Sequence, residues 1–210
     1  MAAPVVNEGL RLVPGFLARS AQEQLLDTLD EVVAAAPFYT PVMPRSGQPF
    51  SIEMTNAGPL GWVSDRAGYR YQATHPATGQ SWPDIPGAIL DAWAELSQVP
   101  YQPECCLINR YRSPKSRMGL HRDQDEEDLT APVVSLSLGD TALFRIGGPE
   151  RKGPTRSFRL ASGDALVLAG QSRLHYHGIE RIMPGTSTLL PGGGRINLTL
   201  RRVTTPESML

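Results

Sequence analysis

The chain has 210 residues, a net charge of −1, 40% hydrophobic and 20% charged residues. That balance suits a sizeable core and excludes global disorder, as well as a uniformly basic nucleic-acid coat protein; any nucleic-acid contact has to be local. No apolar run approaches the roughly 20 residues of a membrane span, and the adjacent Cys105 and Cys106 cannot staple distant segments, so a reducing cytoplasm is expected.

The 20 glycines and 19 prolines imply many turns rather than a helical bundle. The opening Met-Ala-Ala-Pro-Val lacks the charged and apolar blocks of a signal peptide. Ser20-Ala-Gln-Glu23 has the spacing of a capping box, and Leu25, Leu26, Leu29, Val32 and Val33 then mark one helical face. A helix is expected over 21–35, closed before Pro37. Residues 40–82 carry short strand candidates, Phe50–Met54 and Tyr69–Gln72, amid proline, glycine and asparagine, and read as a mobile excursion. A second helix is expected over 86–98, with Pro86 in its first turn and Ile89, Leu90, Trp93 and Leu96 facing the core. After residue 104 the hydrophobic period falls to two. Cys106–Tyr111, Val133–Leu138, Ala142–Ile146, Ser157–Leu160, Ala165–Ala169, Leu174–Ile179 and Ile196–Val203 read as short strands between turns. Helices followed by strands indicate an α+β fold with a sandwich or barrel in the C-terminal half.

The chain has four histidines: His75, His121, His175 and His177. His121-Arg122-Asp123 turns an imidazole and a carboxylate to one side of an extended segment, and His175 or His177 can supply a third donor. Two histidines and a carboxylate on a β scaffold match the facial triad of non-haem Fe(II) oxygenases. In Arg195-Ile-Asn-Leu-Thr-Leu-Arg201 a polar face alternates with an apolar one. Turned into a small barrel, its two arginines and Asn197 would make a dicarboxylate site. Asn109 and Tyr111 share one side of the strand that carries them.

Four motifs stand in order: Asn109-Arg110-Tyr111, His121-Arg-Asp123-Gln-Asp125-Glu, Ser172-Arg-Leu-His-Tyr-His177-Gly and Arg195-Ile-Asn197-Leu-Thr-Leu-Arg201. With Met54-Thr-Asn-Ala-Gly-Pro-Leu-Gly-Trp62 and Gly68-Tyr69-Arg-Tyr71 upstream, they resemble the AlkB family of Fe(II)- and 2-oxoglutarate-dependent dioxygenases over about residues 50–203. The resemblance implies a single domain over 1–210. Helices and a nucleotide-recognition lid would occupy about 1–100, and a double-stranded β-helix (jelly-roll) catalytic core about 104–203.

The resemblance also implies iron on His121, Asp123 and His177, with His175 left to packing. Arg201 and Tyr111 would meet the distal carboxylate of 2-oxoglutarate, with Asn109, Arg195 and Asn197 at its iron-chelated end. Trp62, Tyr69, Asp125 and Arg151 would contact the substrate. The implied reaction is oxidative demethylation of 1-methyladenine or 3-methylcytosine in single-stranded or locally opened DNA or RNA, by a monomer without membrane contact. Arg110, Arg112, Lys115, Arg117 and Arg122 form a basic cluster suited to phosphate. Two departures from the pattern stand out: one extra residue around 112–118, and Leu168 in place of a tryptophan. The alternatives are an oxygenase of the same cofactors acting on a protein, lipid or small molecule, a non-catalytic single-strand binder, and a cupin-type metal protein.

Overall fold

A computed structural model describes residues 9–206; the Met-Ala-Ala-Pro-Val opening lies outside them. Twelve strands are found there: β1 Leu10–Val13, β2 Glu53–Ala57, β3 Gly61–Asp65, β4 Gly68–Gln72, β5 Cys105–Tyr111, β6 Met118–His121, β7 Val133–Gly139, β8 Thr141–Ile146, β9 Arg156–Leu160, β10 Ala165–Leu168, β11 His177–Met183 and β12 Arg195–Arg201. Two α-helices accompany them, α1 Arg19–Ala35 and α2 Gly87–Ser97. The strands form a six-stranded sheet in the order β1-β10-β7-β12-β5-β2, a four-stranded sheet in the order β6-β11-β8-β9, and the hairpin β3-β4. Every strand pairing is antiparallel.

The period-two pattern sorts each strand of the large sheet onto two faces. Cys106 and Ile108 of β5, Val134, Leu136 and Leu138 of β7, Val167 of β10, and Leu198 and Leu200 of β12 pack against Leu25, Leu29 and Val32 of α1 and Ile89, Trp93 and Leu96 of α2. The alternate residues Leu107, Val133, Leu166 and Leu168 meet Phe144, Ile146, Leu160 and Ile179 of the small sheet. Burying each such side chain contributes about 1.5–3 kcal/mol, so the alternation fixes the register: a one-residue slip would exchange both cores at once.

The structure corrects several expectations. Ser20 and Glu23 form no capping box: α1 starts at Arg19 with Ala18 as N-cap, and Glu23 pairs with Arg19 instead. Segment 40–82 is not an excursion, because β2 closes one edge of the large sheet against β5. Predicted strand Leu174–Ile179 splits into a 3-10 turn over Gly170–Leu174 and β11, which starts at His177 and so leaves His175 off the strand. Strands β1, β3 and β6 are additional; β1 and β6 are four residues each, too short for an alternating pattern to register.

Candidate active site

His121 ends β6, His177 begins β11, and the pairing of these strands sets the two residues directly opposite each other. Asp123 follows in the loop after β6, with its Oδ1 3.7 Å from His121 Nε2. One donor atom from each of the three lies within 4.8 Å of the others, the only such metal-competent group among the described residues. Both imidazoles are aimed by backbone carbonyls: His121 Nδ1 donates to Gly119 O at 2.9 Å, and His177 Nδ1 to His175 O at 3.0 Å. A carbonyl only accepts, so each Nδ1 carries the proton and each Nε2 keeps a free lone pair. His75 is elsewhere, its Nε2 on Pro37 O.

Burial, with His121 alongside, pushes the His177 imidazole down to about 4, so it stays a neutral donor near pH 7. Burial alone would raise the Asp123 carboxyl; the Arg201 guanidinium, backed by His177, His121 and Arg173, reverses that and holds it well below the carboxylate range. Arg201 Nε and Nη2 reach Asp123 Oδ2 at 3.1 and 3.0 Å. One carboxylate oxygen is thereby fixed, leaving the other to face the imidazoles.

Behind this pair lies a buried ionic chain. Glu126 accepts from Tyr71 Oη at 2.5 Å and from Arg173 Nη2 at 3.2 Å, and stands 3.4 Å from Arg201 Nε. Arg173 also donates to the carbonyls of Asp123 and Ala131. Two carboxylates and two guanidiniums thus balance out of contact with water, which buried charges require. Tyr71 belongs to β4, so the β3-β4 hairpin is tied through this chain to Asp123. Of the acids in the run 123–128, Asp123, Glu126 and Asp128 are buried.

The polar face of β12 turns inward, as its alternation implies. Asn197, Thr199 and Arg201, together with Asn109 and Tyr111 of β5, line a cavity of about 360 Å³ that also contains His121, Asp123 and His177. Leu168 lines it as well. The placement of Tyr111 is a correction. Tyr111 stands opposite Arg195, while Arg201 stands opposite Cys105, six residues or about 20 Å further along β12. The register sets Tyr111 beside Arg195, while Arg201 pairs with Asp123 of the metal-competent group.

Arg195 is 0% exposed, and its partners are all neutral: Ser137 Oγ at 2.7 Å and the carbonyls of Asp140 and Leu160. Its Nε has no partner, and no carboxylate lies within ion-pair reach of it among the described residues. Burial pulls the guanidinium down to about 10. A buried cation without an anion is what a carboxylate ligand would complete.

The cavity mouth holds Trp62, Tyr69, Asp125 and Arg151. The Trp62 and Tyr69 rings stack at 5.5 Å, and Trp62 Nε1 donates to Asp125 Oδ2 at 2.9 Å. Asn56, unremarked in sequence, clamps the Trp62 main chain through both ends of its amide, each at 3.1 Å. The basic cluster is partly committed elsewhere: Arg110 and Arg112 both pair with Glu53.

The sequence profile of the 2OG-Fe(II) oxygenase superfamily matches residues 9–201. The alpha-ketoglutarate-dependent dioxygenase AlkB homolog of Caulobacter vibrioides is 53% identical over 200 residues, covering 95% of this chain and 90% of its own. This chain belongs to the AlkB family of 2OG-Fe(II) oxygenases. AlkB of Escherichia coli is 41% identical over 189 residues, covering 88% of this chain and 86% of its own. The solved structure of OsALKBH1 superposes with a TM-score of 0.78 at 32% identity, covering 94% of this chain and 98% of that one. The chain is accordingly an Fe(II)- and 2-oxoglutarate-dependent dioxygenase with the 2OG-Fe(II) oxygenase fold. The donor set fits iron: two imidazoles with free Nε2 atoms and one anchored carboxylate make a facial triad that leaves positions for cosubstrate and oxygen. No helix among the described residues is long and apolar enough to cross a membrane.

Proposed function

We propose that this enzyme demethylates N-alkylated bases, 1-methyladenine and 3-methylcytosine, in single-stranded or locally opened DNA or RNA. The observation that supports this reading is that aromatic and acidic side chains, Trp62, Tyr69 and Asp125, line the same cavity as the His121, Asp123 and His177 donors. The two facing sheets are read as a double-stranded β-helix core in a single domain, with the β3-β4 hairpin as its substrate lid.

His121 Nε2, His177 Nε2 and Asp123 Oδ1 would hold Fe(II), and Arg201 would keep Asp123 monodentate by occupying its Oδ2. Arg195, assisted by Tyr111, would take the distal carboxylate of 2-oxoglutarate, with Asn109 and Asn197 along its length. With oxygen, the bound iron and cosubstrate supply oxidation of the N-methyl carbon, which then leaves as formaldehyde while 2-oxoglutarate is converted to succinate and carbon dioxide. Methylation at those ring nitrogens makes the base cationic and blocks its pairing, which lowers the cost of flipping it out. Trp62 and Tyr69 would stack on the flipped base. Asp125 would face its positive charge and exocyclic amine, held in place by the Trp62 indole. Arg151 would meet the flanking backbone. The Phe144 ring stacks on that of His177 at 5.7 Å and would help to exclude water from that side of the cavity.

The test loads protein with Fe(II) and 2-oxoglutarate without air, then admits air with a short strand containing one 1-methyladenine. Formaldehyde and a strand lighter by one methylene are expected from the wild type and neither from His121→Ala. Succinate formation that does not rise with the methylated strand, and no loss of mass from it, would overturn the substrate assignment.

A further inference from the structure

The two sheets differ in what covers their outer faces. Both helices lie on the six-stranded sheet, whereas no described helix packs on the outer face of the four-stranded one. Phe144, Leu160 and Ile182 point inward from β8, β9 and β11, so their neighbours point out. The pairing then sets exposed Arg159 and Arg181 on either side of half-buried Leu143 and, one pleat away, exposed Ser157 beside half-buried Arg145, a row that ends at Gly178, buried against the β6 backbone. With strands about 4.8 Å apart, Arg159 and Arg181 flank β8 at about 10 Å.

This face continues to the active site. The β8-β9 loop carries Arg151, which lines the catalytic cavity, and Lys152. Beside that loop is a second cleft of about 340 Å³, whose lining includes Gly147, Gly148, Thr155, Arg156 and His175. Six cations thus run from the cavity mouth across the cleft onto the sheet: Arg151, Lys152, Arg156, Arg145, Arg159 and Arg181. Segments 141–160 and 175–183 hold only two acids, Glu150 and Glu180. None of the six cations makes an ion pair among the described residues. In a chain of net charge −1, Arg145, Arg159 and Arg181 on the uncovered face, with Arg151, Lys152 and Arg156 at the cleft along its edge, form a local positive field.

We infer that the outer face of the four-stranded sheet, reached over the cleft at Arg156 and His175, binds the phosphodiester backbone of the strand whose base enters the site. This rests on the demethylase reading and adds a second contact remote from the lid. The occupant is a polyanion with charges in a row, which matches guanidiniums arrayed along strand rows. The path starts at Arg151, where the flanking backbone leaves the cavity.

The test is the variant Arg156→Gln/Arg159→Gln/Arg181→Gln, three exposed side chains without ion pairs. Binding of an unmodified single strand of about 15 nucleotides is titrated across salt concentration, where each lost phosphate contact lowers the slope of log Kd by about 0.7. The triple variant is expected to lower the slope by about 2 and to raise KM for a methylated strand of that length by about 10- to 100-fold. Its kcat, and its turnover of a methylated trinucleotide too short to reach the sheet, stay at wild-type values. The lysine triple variant retains most of the slope, and Arg19→Gln on the helix-covered side leaves it unchanged. A wild-type slope and KM in the glutamine variant would overturn the inference, and would be the result if the face served an acidic protein instead. A wild type that binds the strand with the expected slope but does not demethylate it would sink only the demethylase reading.

Discussion

Arg195→Met separates cosubstrate binding from stability. The guanidinium is buried among neutral acceptors and pulled down to about 10, an unfavourable burial of about 3 kcal/mol. A group whose folded value is depressed in this way, being a cation, destabilises the folded state at all pH values below it, while methionine also leaves Ser137 Oγ and the Asp140 and Leu160 carbonyls without their donor, so the two effects oppose each other in the apo protein. A bound carboxylate recovers the same energy, so its loss is expected to weaken 2-oxoglutarate about 100-fold. Loaded with Fe(II) without air and given 2-oxoglutarate at about 100 times its wild-type Kd, the native protein gains about 2.7 kcal/mol. For a chain of this size that is a rise in Tm of about 5–10 °C. The variant at the same concentration gains about 0.4 kcal/mol over its own apo form, a rise of about 1 °C. Thermal unfolding followed by circular dichroism reads both. A variant that keeps the full 2-oxoglutarate shift would refute the reasoning.

Three further perturbations follow from the site. Glu126→Gln leaves Arg173 and Arg201 one charge short of balance, and should lower stability by about 3–5 kcal/mol, read by urea denaturation of the apo protein; a cost below about 1 kcal/mol would mean the chain is not ionic. Gly178→Ala places a Cβ 2.4 Å from Met118 O and 2.7 Å from Gly119 O, the carbonyl that orients His121. Iron affinity by anaerobic equilibrium dialysis should fall about 10- to 100-fold; an unchanged affinity would show that β6 yields without moving the imidazole. Trp62→Ala removes the stacking wall, worth about 1–3 kcal/mol per base, and should raise KM for a methylated strand about 5- to 100-fold while substrate-independent 2-oxoglutarate turnover holds. Unchanged KM would dismiss the lid role.

The alternation along β12 announced the cavity floor, because a period-two pattern reports which side faces which environment whatever the partner strand. The His-x-Asp pair and the motif around His177 announced the donors, since few residue types bind iron. Register was not legible: whether Tyr111 sits beside Arg195 or Arg201 depends on how β5 meets β12, and each strand alone is silent on it. Glu126 was hidden for a related reason. A run of acids looks solvated until its counter-charges are known, and Arg173 and Arg201 come from 47 and 75 positions downstream. Asn56 escaped notice because a clamp on a backbone has no composition signature.

The central claim is that one ferrous ion sits between His121, Asp123 and His177 with 2-oxoglutarate reaching from it to Arg195. A crystal grown without air with Fe(II) and 2-oxoglutarate, with data collected at the iron absorption edge, tests it. The account predicts a single anomalous peak within bonding reach of His121 Nε2, Asp123 Oδ1 and His177 Nε2, and the distal carboxylate on Arg195. An iron peak away from those three atoms, or the distal carboxylate on Arg201, would contradict it.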